Sequence, residues 1–203
     1  MRATVIGATG LIGSHLLELL LADDNFDSVR ILLRRPFDLT HPKLEKKLVD
    51  FSDMESFRLA LEDSDVIFCA IGTTQKKVKG DKSAYRKVDF DIAVNAAQLG
   101  KLCGCETFVL VSAVGANSQS NNFYLKLKGE TEEAVKATGI KSIHIVRPSL
   151  LLGDRKEFRL GEKMAQWMMP VFLFLIPKKY RPIHAKKVAE MMINAAKITG
   201  PNR

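Results

Sequence analysis

The sequence predicts an α/β fold: a doubly wound parallel sheet of six or seven strands, covered by helices on both faces. Three observations predict it. Apolar runs of four to six residues alternate with helical stretches, the pattern of βαβ units whose strands are buried on both faces. The first run leads straight into a glycine-rich turn that opens a helix. The chain has 203 residues, 46 % hydrophobic and 27 % charged, which suits one ordinary globular domain.

The elements follow in order. Residues 3–6 form a short apolar strand, residues 7–13 the glycine turn, and 16–21 a helix. Residues 29–33 are a second strand, and 47–51 a weaker third before a short helix at 54–61. Residues 66–71 are a continuously apolar fourth strand. A long helix at 83–102 carries Ala93, Ala96 and Ala97. A fifth strand at 108–112, a charged amphipathic helix at 123–137 and a sixth strand at 143–146 complete the alternation. After Leu152 the pattern changes: a polar loop at 153–157, an apolar, methionine-rich stretch at 164–176, a basic stretch at 178–182 and a final helix at 185–196. About 50 residues are too few for an independent core. Residues 1–203 therefore read as a single domain, in which 153–203 are a small cleft-capping segment. The apolar 167–176 stretch reads as a core or lid helix, a dimer face or a membrane-surface helix.

The charge balance is +8 at pH 7. It suits an anionic ligand, but a solvated surface gives the same total. The lysines and arginines at 76–87 read as a solvated loop and helix start. With only Tyr85 interleaved, they do not make a nucleic-acid surface. Three cysteines, Cys69, Cys103 and Cys105, cannot all pair with one another, and no leader segment is visible, so a reduced, cytoplasmic protein is expected. The longest apolar run is too short for stable membrane insertion. The four histidines have no metal-ligand spacing, and no metal site is expected.

The motif with most chemical content is Gly7-Ala8-Thr9-Gly10-Leu11-Ile12-Gly13. Gly7 permits a tight turn, Gly10 lets the backbone approach a pyrophosphate, and Gly13 lets the helix lie close to the sheet. Thr9, Leu11 and Ile12 ride on the same turn, and the helix N-terminus offers N–H groups to the phosphates. An NAD site places a carboxylate about 20 residues beyond the glycines. Here Arg34 and Arg35 stand there instead. Two guanidinium forks match a ribose 2′-phosphate, so NADP(H) is expected over NAD. Asp50 and Phe51 fall toward the adenine, and Gly72-Thr73-Thr74 pass the ribose and pyrophosphate at the end of the fourth strand, with Ala70 and Ile71 also expected at the cofactor.

The second constellation is Ser112 with Tyr124 and Lys128. Tyr124 and Lys128 are four apart on one helix, so both point from one face. A tyrosine titrates near pH 10 and needs a neighbouring cation before it exchanges protons near neutrality. Lys128 is placed to serve, and also to hold the ribose. Ser112 ends the fifth strand on the cleft rim.

On Gly7–Gly13, Arg34-Arg35, the Cys69–Thr74 segment, Val88-Asp89-Phe90, Leu110-Val111-Ser112, the Asn122–Glu130 segment and Val146-Arg147-Pro148-Ser149, the chain resembles an atypical short-chain dehydrogenase/reductase. The likeness is to the small NAD(P)H-binding branch related to the Tat-interacting-protein oxidoreductase and the NAD-dependent epimerase/dehydratase-like proteins. It runs in order over almost the whole chain. It implies a Rossmann-type fold, NADP bound at the glycine turn and at Arg34 and Arg35, and Ser112, Tyr124 and Lys128 as a catalytic triad with Tyr124 the general acid. Three functions follow as expectations. One is an NADPH-dependent reductase of a small carbonyl substrate. Another is a non-catalytic NADP(H)-binding regulatory or redox-sensing protein. The third is an electron-transport assembly factor at a membrane surface. No nucleic-acid partner is expected, and a homodimer stays open.

Overall fold

Six parallel strands form one sheet in the order β3-β2-β1-β4-β5-β6 in the computed structural model, which describes residues 1–74, 78–152 and 181–199. The strands are β1 (Arg2–Ile6), β2 (Ser28–Leu33), β3 (Leu44–Leu48), β4 (Val66–Cys69), β5 (Thr107–Val111) and β6 (Ser142–Val146). β1 pairs with both β2 and β4. The chain winds outward from β1 to β3, then returns beside β1 and winds out the other way. The crevice where the order reverses lies between β1 and β4, at their carboxyl ends, the place where such sheets bind ligands. A short parallel pair, β7 (Leu151–Leu152) and β8 (Ile183–His184), stands apart from this sheet.

Side chains alternate across the sheet. Ala3, Val5, Val29, Ile31 and Phe68 pack with α1 (Leu11–Leu21) and α6 (Ala185–Thr199), through Leu16, Leu20, Val188 and Met192. Ile6, Leu32, Ile67, Phe108 and Leu110 pack on the opposite face with α2 (Met54–Leu61), α4 (Ile92–Leu102) and α5 (Phe123–Lys136). Phe57, Leu61, Ala93, Ala96, Ala97 and Val135 supply that layer. The alanines let α4 approach the sheet closely.

Three elements depart from the sequence reading. The third strand lies at Leu44–Leu48, earlier than expected, and runs Leu-Glu-Lys-Lys-Leu. It is an edge strand, paired with β2 alone, so its outer positions take charge, as edges of soluble sheets commonly do. Its Glu45 receives Arg30 Nε of β2 at 2.7 Å, while Arg30 Nη1 donates to Ala60 O and Glu62 O. A buried arginine thus has partners for its Nε and Nη1. The first helix begins at Leu11, directly on the glycine turn. The long helix expected at 83–102 is α3 (Lys82–Arg86), a π-helical turn (Lys87–Asp91) and α4 in succession.

The three cysteines are free thiols. Burial pushes Cys69 and Cys105 up to about 11, which keeps them as inert apolar groups. No helix among the described residues is long and apolar enough to cross a membrane. The stretches at 153–157, 164–176 and 178–180 lie outside the described residues, as do Lys76 and Lys77. The helix assigned with them to the C-terminal segment, α6, packs against α1, β5 and β6.

Candidate functional site

The glycine turn is built as its spacing demands. Gly7 has φ +91°, and a Cβ there would lie 2.7 Å from the Ala70 carbonyl oxygen. The turn therefore passes in contact with the backbone leaving β4, and only glycine fits. Gly10 donates its N–H to Gly7 O at 2.9 Å and caps α1 without a side chain. A Cβ on Gly13 would sit 2.0 Å from that same Gly7 oxygen. Thr9 and Gly10 are exposed, Leu11 is half-buried and Ile12 is buried. The first turn of α1 carries no acidic side chain. Its N–H groups and the positive end of its dipole thus face the crevice without a built-in anion.

A cleft of about 760 Å³ opens over the ends of β2 and β3, and neither the glycine turn, Ala70–Gly72, Ser112, Tyr124 nor Lys128 lines it. Arg34, Asp50 and Phe51 line it, together with Met54, Ile92 and Asn95. Three residues expected to bind the cofactor are therefore brought to one cleft. Arg35 is exposed next to it but does not line it. Phe51 is fixed edge-on against Phe57, with ring centroids 4.9 Å apart. Hydrogen bonds from the Ser52 hydroxyl and N–H hold the Asp50 carboxyl below its ordinary value of 3.8. A flat apolar wall with a cation at its edge suits an adenine nucleotide.

On the other side of the crevice stand Ser112, Tyr124 and Lys128. Ser112 follows β5, and its N–H donates to Val146 O at 2.8 Å. Its hydroxyl is buried and has no hydrogen-bond partner among the described residues. Such an orphan costs about 1–3 kcal/mol and calls for an explanation, most simply a ligand group. Tyr124 is in the first turn of α5. Asn122 caps that helix by accepting from the Tyr124 and Leu125 N–H groups. The Tyr124 ring is 38 % exposed, whereas Lys128, one turn on, is buried. No hydrogen bond joins Tyr124 to Ser112 or Lys128 among the described residues. Lys128 Nζ instead lies 2.9 Å from Asp89 Oδ1.

Asp89 is the residue to which sequence reasoning attached no role. It sits in the π-helical turn and is 2 % exposed. Its second oxygen, Oδ2, accepts from the Thr73 N–H at 2.7 Å. Tyr85, one helical turn earlier, donates its hydroxyl to Thr73 O at 3.2 Å. A signal was present in the sequence: a carboxylate on a helix otherwise facing the core requires a partner. Nothing local in the sequence identifies that partner as Lys128. Two cations of the basic segment around it have partners. Arg86 reaches Glu130 at 2.6 Å and covers the Phe90 ring, and Lys82 lies over Phe123.

Comparison with known proteins agrees with this geometry. Residues 7–198 match the model of a family described as NAD(P)H-binding. Protein HTATIP2 of Rattus norvegicus is 31 % identical over 191 residues, covering 93 % of this chain and 76 % of the relative. Protein FMP52-1, mitochondrial, of Scheffersomyces stipitis is 34 % identical over 203 residues, covering 97 % and 88 %. Among solved structures, MoeE5 in complex with UDP-glucose and NAD superimposes with a TM-score of 0.75 at 16 % identity, over 100 % of this chain and 74 % of that one. At that identity the likeness speaks for the fold.

The cytoplasmic expectation needs correction. Relatives from Scheffersomyces stipitis, Candida albicans and Meyerozyma guilliermondii are named mitochondrial proteins. Free thiols suit a reducing environment, and the cytoplasm is not the sole such compartment. The glycine turn on α1, the parallel sheet wound about β1 and the match over residues 7–198 together place this chain in the NAD(P)H-binding family, as an atypical member of the short-chain dehydrogenase/reductase type.

Proposed function

We propose that this protein is an NADPH-dependent reductase of a small carbonyl compound, acting through Ser112, Tyr124 and Lys128. The observation that carries this reading is the Ser112 hydroxyl, buried at the end of β5 and without a partner among the described residues. The residues present fit a dinucleotide. The turn at Gly7, Gly10 and Gly13 would cradle the pyrophosphate, with Thr9, Leu11 and Ile12 around it. Arg34 and Arg35 would take the 2′-phosphate, and Asp50 and Phe51 would border the adenine. Ala70, Ile71 and Gly72 would flank the ribose, and Lys128 would hold its hydroxyls. A bound reduced nicotinamide supplies a hydride. Ser112 donates a hydrogen bond to the substrate oxygen and fixes its position. Tyr124 gives its phenolic proton to that oxygen as negative charge develops on it. The Lys128 ammonium favours the phenolate left behind.

A second reading, a non-catalytic NADP(H)-binding regulatory protein, is favoured by one observation. The charge of Lys128 is engaged by Asp89 rather than by Tyr124.

Fluorescence titration with NADPH and NADH, followed by a panel of carbonyl compounds, separates the two. For Arg34→Ala/Arg35→Ala, NADPH affinity is expected to fall at least about tenfold with little change for NADH, since hydrogen bonds to charged groups contribute about 1.5–3 kcal/mol. Tyr124→Phe is expected to abolish turnover and keep NADPH affinity. Wild-type protein that binds NADPH but reduces no carbonyl supports the regulatory reading. Absence of binding sinks both.

A further inference from the structure

Lys128 and Thr73 belong to different elements, α5 and the segment following β4. Both are held by one side chain. Asp89 Oδ1 lies 2.9 Å from Lys128 Nζ, and Asp89 Oδ2 accepts from the Thr73 N–H at 2.7 Å. The carboxylate is 2 % exposed and the lysine side chain 7 %. An ammonium buried to that degree without a counter-charge would be strongly disfavoured. Asp89 therefore does two things at once: it keeps a cation inside the protein, and it ties that cation to the backbone after β4. Tyr85, from the same helical run, holds the carbonyl of Thr73. Three residues before Thr73, the Ala70 carbonyl packs against Gly7 so closely that a Cβ could not intervene. An unbroken series of contacts thus runs from the glycine turn, through the segment at 70–74, through Asp89, to Lys128.

We propose that Asp89 is a positioning residue that couples occupation of the dinucleotide crevice to the placement of Lys128. The proposal rests on the reading of the crevice as an NADPH site. Its two oxygens divide the work. Oδ2 senses the segment lining the crevice, and Oδ1 holds the ammonium of Lys128, one turn beyond Tyr124 on α5. Asparagine in place of Asp89 keeps the shape and an acceptor for Thr73 but removes the charge that holds Lys128. Glutamate keeps the charge on a longer arm.

Hydrogen exchange of the full-length protein, with and without NADPH, tests this on peptides covering 7–13, 70–74 and 124–131. In wild type, NADPH is expected to slow exchange in all three. In Asp89→Asn, slowing should persist at 7–13 and 70–74 and disappear at 124–131. Asp89→Glu should restore it there in part. In parallel, kcat for Asp89→Asn should fall about ten- to a hundredfold, because displacing a reacting group by an ångström costs on that order, and the Kd for NADPH should rise by a smaller factor, since the displaced Lys128 no longer holds the ribose. Undiminished slowing at 124–131 in Asp89→Asn overturns the proposal. So does wild-type protein that binds NADPH with no slowing at 124–131. If wild type does not bind NADPH at all, the cofactor reading fails first and takes the proposal with it. If it binds but reduces no carbonyl, the exchange data alone decide. Should Asp89→Asn not fold, Lys128→Met breaks the same link from the other side and is expected to give the same loss at 124–131.

Discussion

At the scale of single residues, the crevice depends on atoms that are missing as much as on those present. Gly13 is the clearest case, because a methyl group there would overlap the Gly7 oxygen at 2.0 Å. Neither the turn nor α1 can yield without disturbing β1 and β4, on which the turn rests. Forced overpacking costs about 1–3 kcal/mol. Gly13→Ala is therefore expected to lower the melting temperature by about 5 °C, at roughly 2–4 °C per kcal/mol for a chain of this size. It should also weaken NADPH binding at least about tenfold. Calorimetry and the fluorescence titration check both, and unchanged values would show that the turn has slack the geometry does not reveal.

At the scale of elements, the two faces of the sheet have different duties. α2, α4 and α5 border the crevice, whereas α6 seals the opposite face against α1. Met192 is fully buried in that seal. Met192→Ala is expected to destabilise the fold by about 2–5 kcal/mol in denaturant unfolding. NADPH affinity should stay within about twofold, since none of the residues assigned to the dinucleotide lies on α6. The strands buried on both faces were legible as apolar runs, because burial on both sides leaves no room for alternation. β3 was misplaced for the converse reason: an edge position lets Glu45, Lys46 and Lys47 occupy a strand. The glycine turn, Arg34 and the Tyr124–Lys128 pair were legible because their spacing is local. The tie between Lys128 and Asp89 spans elements far apart in the chain, and no periodicity encodes it.

For the molecule as a whole, several ion pairs bind distant segments and make stability depend on pH. Lys197 of α6 reaches Asp23, after α1, at 2.6 Å, and Arg30 of β2 reaches Glu45 of β3. Burial works to raise both carboxyls. Hydrogen bonds from Lys197 and Asn25 to Asp23, and from Arg30 and Lys47 to Glu45, outweigh it, so both lie below their ordinary values of 3.8 and 4.5. A carboxyl with a lowered folded value contributes fully above its unfolded value and loses that contribution as pH falls through the folded one. The melting temperature is accordingly expected to be flat near neutrality and to fall below about pH 4.5. The +8 charge at pH 7 adds to this, since each protonated carboxylate increases self-repulsion. Glu45→Gln should melt lower at pH 7 and lose less on acidification, which a pH series of thermal scans would register.

The π-helical turn at Lys87–Asp91 has a consequence for how this region tolerates change. An α-helix advances about 100° per residue, and a π-turn holds one residue more than an α-turn in the same rise. The residues before and after it are therefore out of phase by about one residue's rotation. That offset lets Tyr85 and Asp89 face the segment after β4 while Ala93, Ala96 and Ala97 face the sheet. Removing a single residue there would straighten the rod and bring the two halves into one phase. Either the alanine face or the carboxylate would then point the wrong way. Length, as well as the identity of Asp89, is what this segment has to preserve.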